Sequence, residues 1–328
     1  SNQLYIFNEA DLIISNSATG VNGSSAYGSN ITVYYENSNA VSHLQLITND
    51  MVQVISNYVA INHQIFTTYT TNLFYSFVTN VTFYDYRESK TVQAVQIDVA
   101  KFNKWLTNTT SSGGNKWNLI NASGSTDKGH GIDSIYVYNN VPLTTAQLPA
   151  VRLVNGAQLP SADGLTVATP QPLYVLGDYN VQTNGGGGSS AGTTNTAYTY
   201  PAALMGDAIT IFSGNWNDSV TTEDPTATAT TINAAILTGI VPTNPNISGN
   251  YSGGVENFLR LLENWTGVTL TYNGSIVVMF SSQYATNSWQ PTGNYYQAPN
   301  RNWSFDQNFT DASKLPPLTP SVKNFVTP

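Results

Sequence analysis

The sequence predicts a mainly β protein, in which a β-solenoid-like C-terminal region follows an N-terminal β-rich α+β region. Short runs of alternating apolar and polar residues recur along the whole chain, which is typical of strands. Clusters of Asn, Ser, Thr and Gly separate these runs and indicate turns. Helical periodicity is confined to two short stretches, one in each half of the chain.

The first predicted region covers residues 1–150. Asp98 is positioned to cap a short helix ending at Leu106, because the apolar residues between them recur on one helical face. Three prolines in residues 139–164 indicate a connector, so we place the boundary near residue 150. The strands predicted in this region lie at residues 4–7, 12–14, 31–35, 44–47, 64–86, 91–98 and 133–138.

The second predicted region covers residues 151–328 and has short apolar segments between long polar loops. A β-solenoid tolerates loops of variable length because each rung packs only on its neighbours. A β-sandwich would also explain the strands. Small residues such as Ala203, Ala208 and Ala234 recur inside the segments and favour the narrow core of a solenoid. The predicted strands lie at residues 165–167, 173–176, 208–212, 232–237, 268–270 and 276–280.

Two further elements are predicted in the second region. Residues 255–265 carry apolar side chains at positions i, i+3, i+4, i+7 and i+10, which indicates an amphipathic helix that ends at Gly267. After residue 285 the chain is rich in aromatic residues, Pro and Asn, and we expect an irregular tail that lies over the domain.

The composition restricts the possible functions. Charged residues make up only 9% of the 328 residues, and the 38 Asn residues supply much of the polarity. There are no cysteines, which excludes disulfides, thiol catalysis and Cys-ligated metals. The net charge is −8 and no basic run occurs, so nucleic acid is not an expected partner. No apolar run reaches the length of a membrane helix.

Sequons of the type Asn-x-Ser/Thr are numerous. Their number is close to the roughly nine that chance would give for this composition, so the count alone does not predict a glycoprotein. The twelve sequons begin at Asn22, Asn30, Asn80, Asn108, Asn121, Asn217, Asn246, Asn250, Asn264, Asn273, Asn302 and Asn308.

Several strings of residues carry a resemblance over about residues 80–320. The strings are Tyr84-Asp85-Tyr86-Arg87-Glu88, Gly164 to Thr169, Pro172 to Asn180, Pro201 to Leu204, Asp207 to Ile211, Tyr251 to Phe258, Leu262 to Trp265, Tyr272 to Ser275 and Pro299 to Trp303. They resemble a family of uncharacterised exported bacterial proteins, minor-pilin-like ectodomains associated with type IV pilus or type II secretion gene sets. The resemblance implies an exported protein whose N-terminal anchor helix, or a leader, precedes Ser1.

Asp178 and Asp207 are the candidate metal ligands, and we expect no catalytic residues. Each follows a glycine at the edge of an apolar segment. If those segments were adjacent rungs, the two carboxylates would lie about 4.8 Å apart. Such a pair could bind a structural calcium ion, or perform glycoside hydrolysis in a β-helix enzyme. The simpler interpretation is that Gly-Asp forms turns.

Other chemical candidates have simple structural explanations. His43 and His63 lie in predicted strands, whereas His130 could form a dyad with Asp127 or Asp133. Glu256, Arg260 and Glu263 would share one helical face, with Glu256 and Arg260 as an i,i+4 pair, unless Arg260 binds a partner carboxylate. The four glycines at 185–188 lack the ending of a phosphate-binding loop and predict a flexible loop.

The expected function is therefore non-enzymatic. We expect an extracellular or cell-surface protein that serves as a structural or adhesive component of a pilus, filament or surface assembly. Its partners would be other protein subunits, and possible glycans, because few ions need to be desolvated in a charge-poor interface. The alternatives are a carbohydrate-active β-helix enzyme and a glycan-binding module that uses exposed Tyr and Trp.

Overall fold

The computed structural model describes twelve continuous stretches of the chain and the single residue Ser252. They are residues 9–17, 31–36, 44–46, 53–61, 64–72, 77–107, 130–141, 143–184, 188–220, 224–246 and 258–320 without 290–294, together with Ser252. The backbone alone is described for residues 44–46, 53–61, 64–72, 183–184 and 188.

The described chain is mainly β, as the sequence predicts. The strands are β1 Leu12–Asn16, β2 Ile31–Glu36, β3 Leu44–Leu46, β4 Gln53–Ile61, β5 Gln64–Asn72, β6 Val78–Asp85, β7 Lys90–Asp98, β8 Ser134–Asn139, β9 Gln147–Val154, β10 Leu165–Ala168, β11 Leu173–Leu176, β12 Thr183–Asn184, β13 Gly188–Ser189, β14 Ala202–Met205, β15 Ile209–Phe212, β16 Thr230–Gly239, β17 Arg260–Leu261, β18 Thr269–Phe280 and β19 Asn300–Phe305. Helix α1 spans Val99–Thr107, and short 3-10 helices span Gln307–Thr310 and Ala312–Lys314.

Two large mixed sheets contain most of these strands. A nine-stranded sheet, which we call sheet A, has the order β19-β18-β16-β14-β10-β8-β1-β2-β3. A six-stranded sheet, which we call sheet B, has the order β17-β15-β11-β9-β7-β6. Strands β4 and β5 form a separate antiparallel pair, and so do β12 and β13.

The chain alternates between the two sheets along most of its length. From β8 to β18, apart from the short pair β12 and β13, successive strands belong alternately to sheet A and sheet B. Each of them pairs in parallel with the preceding or following strand of its own sheet. Within sheets A and B as described, antiparallel pairing occurs only where β2, β3 and β6 join one end of each sheet. Residue 150 lies inside β9, so both sheets continue across the predicted boundary.

The core lies between the sheets, where the facing strands are almost entirely apolar. Leu165 and Val167 of β10 and Leu173 and Val175 of β11 are at most 1% exposed. Parallel strands that are covered on both faces need such continuous apolar runs. Burial of one of these side chains contributes about 1.5–3 kcal/mol.

Helix α1 follows the sequence prediction closely. Asp98 Oδ1 accepts a hydrogen bond from the Lys101 amide at 3.0 Å, as an N-cap residue does. Phe102 and Trp105 are fully buried, and both rings contact Phe77 at centroid distances of 5.0 and 5.3 Å. The helix therefore joins the strands of sheet B through one aromatic face.

A row of amide side chains crosses the end of sheet A. Asn233 of β16 lies beside Asn273 of β18, which lies beside Ser304 of β19. Asn273 Nδ2 donates to Asn233 Oδ1 at 2.7 Å, and Ser304 Oγ donates to Asn273 Oδ1 at 2.6 Å. Asn180 extends the row, because its Nδ2 donates to the Asn233 carbonyl at 2.8 Å. These buried amides satisfy one another where parallel strands stack.

The predicted helix over residues 255–265 is wrong for residues 258–265, while residues 255–257 lie outside the described part. Arg260–Leu261 is strand β17, paired with β15. Leu259 has a φ of 60°, which a right-handed helix does not allow. Phe258, Leu259, Leu261, Leu262 and Trp265 are all buried, so the apolar residues cover two sides of an extended chain rather than one face of a helix.

Two further expectations need correction. The segments at 268–270 and 276–280 belong to one long strand, β18. The tail after residue 285 is not wholly irregular, because β19 pairs in parallel with the first half of β18.

Candidate functional site

Asp207 is a buried connector between the sheets. It lies between β14 and β15 and is 1% exposed. Its carboxylate accepts hydrogen bonds from the backbone amides of Gln283, Tyr284 at 3.0 Å and Ala285 at 3.1 Å. Three amide donors satisfy the oxygens of one carboxylate and hold residues 283–285 against the end of the sheets.

Asp178 has a similar structural role at another place. It follows β11, and its Oδ1 accepts a hydrogen bond from the Thr231 amide at 2.7 Å. Burial raises the pKa of Asp178, and the bond from Thr231 opposes that shift. The contact attaches the turn after β11 to the start of β16.

The structure does not bring Asp178 and Asp207 together. The Asp207 amide donates to the Gln171 carbonyl at 3.1 Å, so Asp207 lies at the beginning of β11. Asp178 lies beyond the other end of β11. The run from Gln171 to Asp178 spans up to about 23 Å of extended chain. The predicted spacing of adjacent carboxylates is therefore wrong, and the two cannot share a calcium ion or flank one glycosidic bond.

A buried ionic cluster joins β17 to the turn between β6 and β7. Arg260 Nη2 donates to Glu88 Oε1, and Arg260 Nη1 donates to the Ala285 carbonyl at 3.2 Å. Glu88 Oε2 also accepts from the Asn287 amide at 3.0 Å. Burial raises the pKa of Glu88, while Arg260 opposes that shift.

Asp85 completes the cluster. Its Oδ1 accepts from the Glu88 amide at 2.9 Å and its Oδ2 accepts from the Tyr174 hydroxyl at 2.6 Å. Arg260 was expected to pair with Glu256 on a helix, which is wrong because Arg260 is in a strand and pairs with Glu88. Glu256 lies outside the described residues. The sequence signal for the cluster was three charges within residues 85–88 of a charge-poor chain.

A second polar cluster contains Asp11, His130 and Asp133. His130 Nδ1 lies 3.3 Å from Asp133 Oδ2 and 3.9 Å from Asp11 Oδ2. The Asp133 amide and the Ser134 hydroxyl each donate to Asp11 Oδ2 at 3.0 Å. The structure thus brings together the predicted partners His130 and Asp133. Sequence reasoning missed Asp11, which is distant in the sequence and reaches the cluster because β1 pairs with β8.

This second cluster contains groups of the types that bind a proton or a cation, and its His130 Nδ1 also lies 2.7 Å from the Gly131 carbonyl oxygen. One ligand atom from each of Asp11, His130 and Asp133 lies within 4.8 Å of the others. Burial, followed by the nearby Asp11 charge, raises the pKa of Asp133 to about 7. Tetrahedral Zn²⁺ with bonds near 2.0–2.1 Å needs ligand atoms about 3.3 Å apart, which the His130–Asp133 distance already satisfies. The Ser134 hydroxyl donates to a carboxylate rather than to His130, so no Ser-His nucleophile is formed here.

Some of the other candidate site residues and sequons lie outside the part of the chain that the structure describes. His43, His63 and Asp127 lie outside the described side chains, as do the sequons at Asn22, Asn30, Asn108, Asn121 and Asn250 and most of the glycine run at 185–188. Glu263 is buried and accepts two hydrogen bonds of 2.6 Å from Ser213, and burial raises its pKa to about 7. Asn80 and Asn273 are 3% and 0% exposed, so their sequons are not accessible in the folded protein.

Comparisons with known proteins add no assignment. No family model, no curated protein and no solved structure matches the chain. Within the described residues, no helix is both long and apolar enough to cross a membrane.

Proposed function

We propose that the protein is a non-enzymatic structural subunit of a cell-surface assembly, and that copies associate through the edge of β18 at residues 275–278, which follow the segment paired with β19. We also propose that the alternation of the chain between sheets A and B forms a two-sheeted β-solenoid. The exported, pilus-associated setting is proposed from the resemblance carried by the strings at residues 84–88, 251–258 and 262–265. The low charge content supports association, since few ions are desolvated when two copies meet.

The edge of β18 is the observation that carries the proposal. Strand β19 pairs with β18 only as far as Gly274, and within the described chain no strand pairs with the next six residues on that side. Val277, Val278, Met279 and Phe280 in this segment are 37–45% exposed. The part of this edge formed by residues 275–278 has no neighbouring strand within the described chain and exposes apolar residues, and such an edge is a site for pairing with another strand.

A second copy of the chain is the occupant that fits this edge best. The strand Thr269–Phe280 contains no charged residue, so two identical segments can meet without like-charge repulsion. Antiparallel pairing about a two-fold axis perpendicular to the sheet would place Val278 opposite Val278 of the second copy and Val277 opposite Met279. Natural edge strands usually carry charges or prolines that prevent such pairing, and residues 275–280 carry neither.

The expected strength of this pairing is modest. Each half-exposed side chain would contribute about 1 kcal/mol on full burial, and each new backbone hydrogen bond about 0.5–1.5 kcal/mol. These gains are similar in size to the roughly 4–15 kcal/mol cost of association. We therefore expect a micromolar or weaker dimer in solution, which becomes effective when copies are concentrated on a surface.

Sedimentation velocity over a wide concentration range tests the proposal. The unmodified chain should shift from monomer to dimer as its concentration rises, and Val278→Lys should remain monomeric. Tyr138→Lys is the matched control, because Tyr138 is 41% exposed but lies in β8, where it pairs with Ser15 of β1 away from β18. A monomer at all concentrations, or equal association of the two variants, would contradict the edge-pairing proposal.

A glycan-binding module is the second candidate function. A surface pocket of about 200 Å³ is lined by Tyr200, Asp306, Asn308, Phe309 and Lys314, among others. A pocket with aromatic rings and neutral or charged hydrogen-bonding groups is of a kind that binds a sugar ring. Titration with a panel of monosaccharides, observed by calorimetry, would support this candidate if Phe309→Ala removed the binding and Tyr138→Ala retained it. Absence of binding to every sugar would remove it.

A further inference from the structure

A small cavity lies beside the buried ionic cluster. It has a volume of about 20 Å³ and is lined by Arg87, Arg260, Ile209, Phe258, Ser252 and Ser282, among others. A cavity that holds one water-sized particle needs about 10–15 Å³, so this cavity has room for a single atom and not for phosphate or sulfate.

Two buried guanidinium groups and two carboxylates lie around the cavity, and the hydrogen bonds of the carboxylates go to groups other than Arg87. Arg87 and Arg260 are 2% and 7% exposed. Glu88 accepts hydrogen bonds from Arg260 and from the Asn287 amide, and Asp85 accepts them from Tyr174 and from the Glu88 amide. Burial, followed by the nearby Arg260 charge, lowers the pKa of Arg87 to about 9, and the attraction of Glu88 and Asp85 opposes that shift.

One nitrogen of Arg87 has no hydrogen-bond partner. Its Nε donates to the Asn287 carbonyl at 3.3 Å, but the buried Nη1 has no acceptor in the described structure. A buried donor without an acceptor costs about 1–3 kcal/mol, and more for a charged group. A buried cation is usually paired with an anion, so the unfilled position next to Nη1 calls for a small negative charge.

We propose that the cavity between Arg87 and Arg260 binds one halide ion, with chloride as the physiological ligand. The ion accepts the hydrogen bond that Arg87 Nη1 cannot make elsewhere and lowers the repulsion between the two guanidinium groups. The walls contributed by Ile209, Val241 and Phe258 are apolar. The site therefore prefers the larger, weakly hydrated halides, bromide and chloride, over fluoride, whose dehydration costs more.

The halide would connect two parts of the fold that are far apart in sequence. Arg87 belongs to the turn between β6 and β7, whereas Arg260 belongs to β17 at the opposite edge of sheet B. A ligand that binds only the folded state stabilises it by RT ln(1 + [L]/Kd). Thermal stability should therefore begin to rise when the halide concentration approaches Kd and should continue to rise with the logarithm of the concentration above it.

The test compares thermal unfolding in bromide, chloride, fluoride and gluconate at constant ionic strength, after dialysis into gluconate. We expect a rise in Tm that becomes linear in the logarithm of halide concentration and is largest in bromide, smaller in chloride and smallest in fluoride, with no rise in gluconate. Arg87→Met should abolish the rise. Arg301→Met should retain it, because Arg301 is exposed and stacks on Trp303 away from the cavity.

A second measurement covers the case in which Arg87→Met does not fold. Crystals of the unmodified protein grown in bromide should show an anomalous peak next to Arg87 Nη1. A water molecule in the cavity without anomalous signal would overturn the proposal. It would also be overturned if Tm were the same in bromide and gluconate, or if Arg87→Met and the unmodified protein responded equally to halide.

Discussion

Removal of Arg260 should destabilise the protein strongly, because the change leaves Glu88 ionised and buried. The Glu88 side chain is fully buried, and Arg260 is the cation that donates to it. Breaking a buried ion pair by removing one partner costs about 3–5 kcal/mol. We therefore expect Arg260→Met to lower the free energy of unfolding by about 3–5 kcal/mol at pH 8, measured by urea unfolding with tryptophan fluorescence at fixed chloride concentration.

The stability cost of Arg260→Met should also depend on pH, in a direction that the pKa of Glu88 determines. Without Arg260, the pKa of Glu88 rises further, because burial then acts without its opposing cation. A carboxyl whose pKa is raised in the folded state loses stability as pH rises through the interval between its unfolded and folded pKa values. The cost of Arg260→Met should therefore be smaller at pH 5 than at pH 8.

Two further variants separate the ion pair from the loss of a side chain. The double variant Arg260→Met with Glu88→Gln should recover part of the lost stability, because the buried charge is gone. Arg301→Met removes an exposed arginine and should cost less than about 1 kcal/mol. The reasoning is refuted if Arg260→Met costs no more than Arg301→Met, or if the double variant is less stable than Arg260→Met alone.

Three other predictions follow from the same structure. Asp98→Ala should cost about 1 kcal/mol in urea unfolding through loss of the α1 cap, and Asp98→Asn should restore most of it; equal losses would contradict capping. Asn233→Ala should cost about 3 kcal/mol, because it leaves buried groups of its neighbours unsatisfied, whereas exposed Asn246→Ala should be neutral. Stability should fall as pH rises from about 4 to about 7, by at most about 4 kcal/mol from Asp133, and Asp133→Asn should flatten this part of the pH profile; an unchanged slope would contradict the raised pKa.

The strands were predictable because the alternation of apolar and polar residues and the turn-forming residues between them are local features of the sequence. The segments at 173–176 and 232–237 lie within or coincide with β11 and β16, and Asp98 caps α1 as its position indicates. The alternation of strands between the two sheets depends on pairing between residues that are distant in the sequence. The sequence indicated this arrangement only indirectly, because short strands joined by loops of variable length are typical of stacked repeats.

The errors arose where two conformations share one pattern. Apolar residues at 258, 259, 262 and 265 match a helical face, but the same residues can cover both sides of a buried extended chain. The extended conformation is fixed by the left-handed φ of Leu259 and by the pairing of β17 with β15. The sequence shows neither the φ value nor the pairing.

The polar clusters were the least predictable feature. Asp11 reaches His130 only because β1 pairs with β8, and Glu88 reaches Arg260 only because β17 and the β6–β7 turn approach each other in the fold. Asp178 and Asp207 looked equivalent in sequence, since each follows a glycine, yet they lie at opposite ends of β11. Local chemistry identified turn residues correctly and could not place them relative to one another.

Hydrogen–deuterium exchange of residues 275–280 at low and high protein concentration tests the proposed edge pairing most directly. Those amides of residues 275–278 that point away from β16 should exchange quickly in dilute solution and slowly in concentrated solution, because pairing with a second copy gives them acceptors. The same amides in Val278→Lys should exchange quickly at both concentrations. Exchange that is independent of concentration in the unmodified chain would contradict association through this edge.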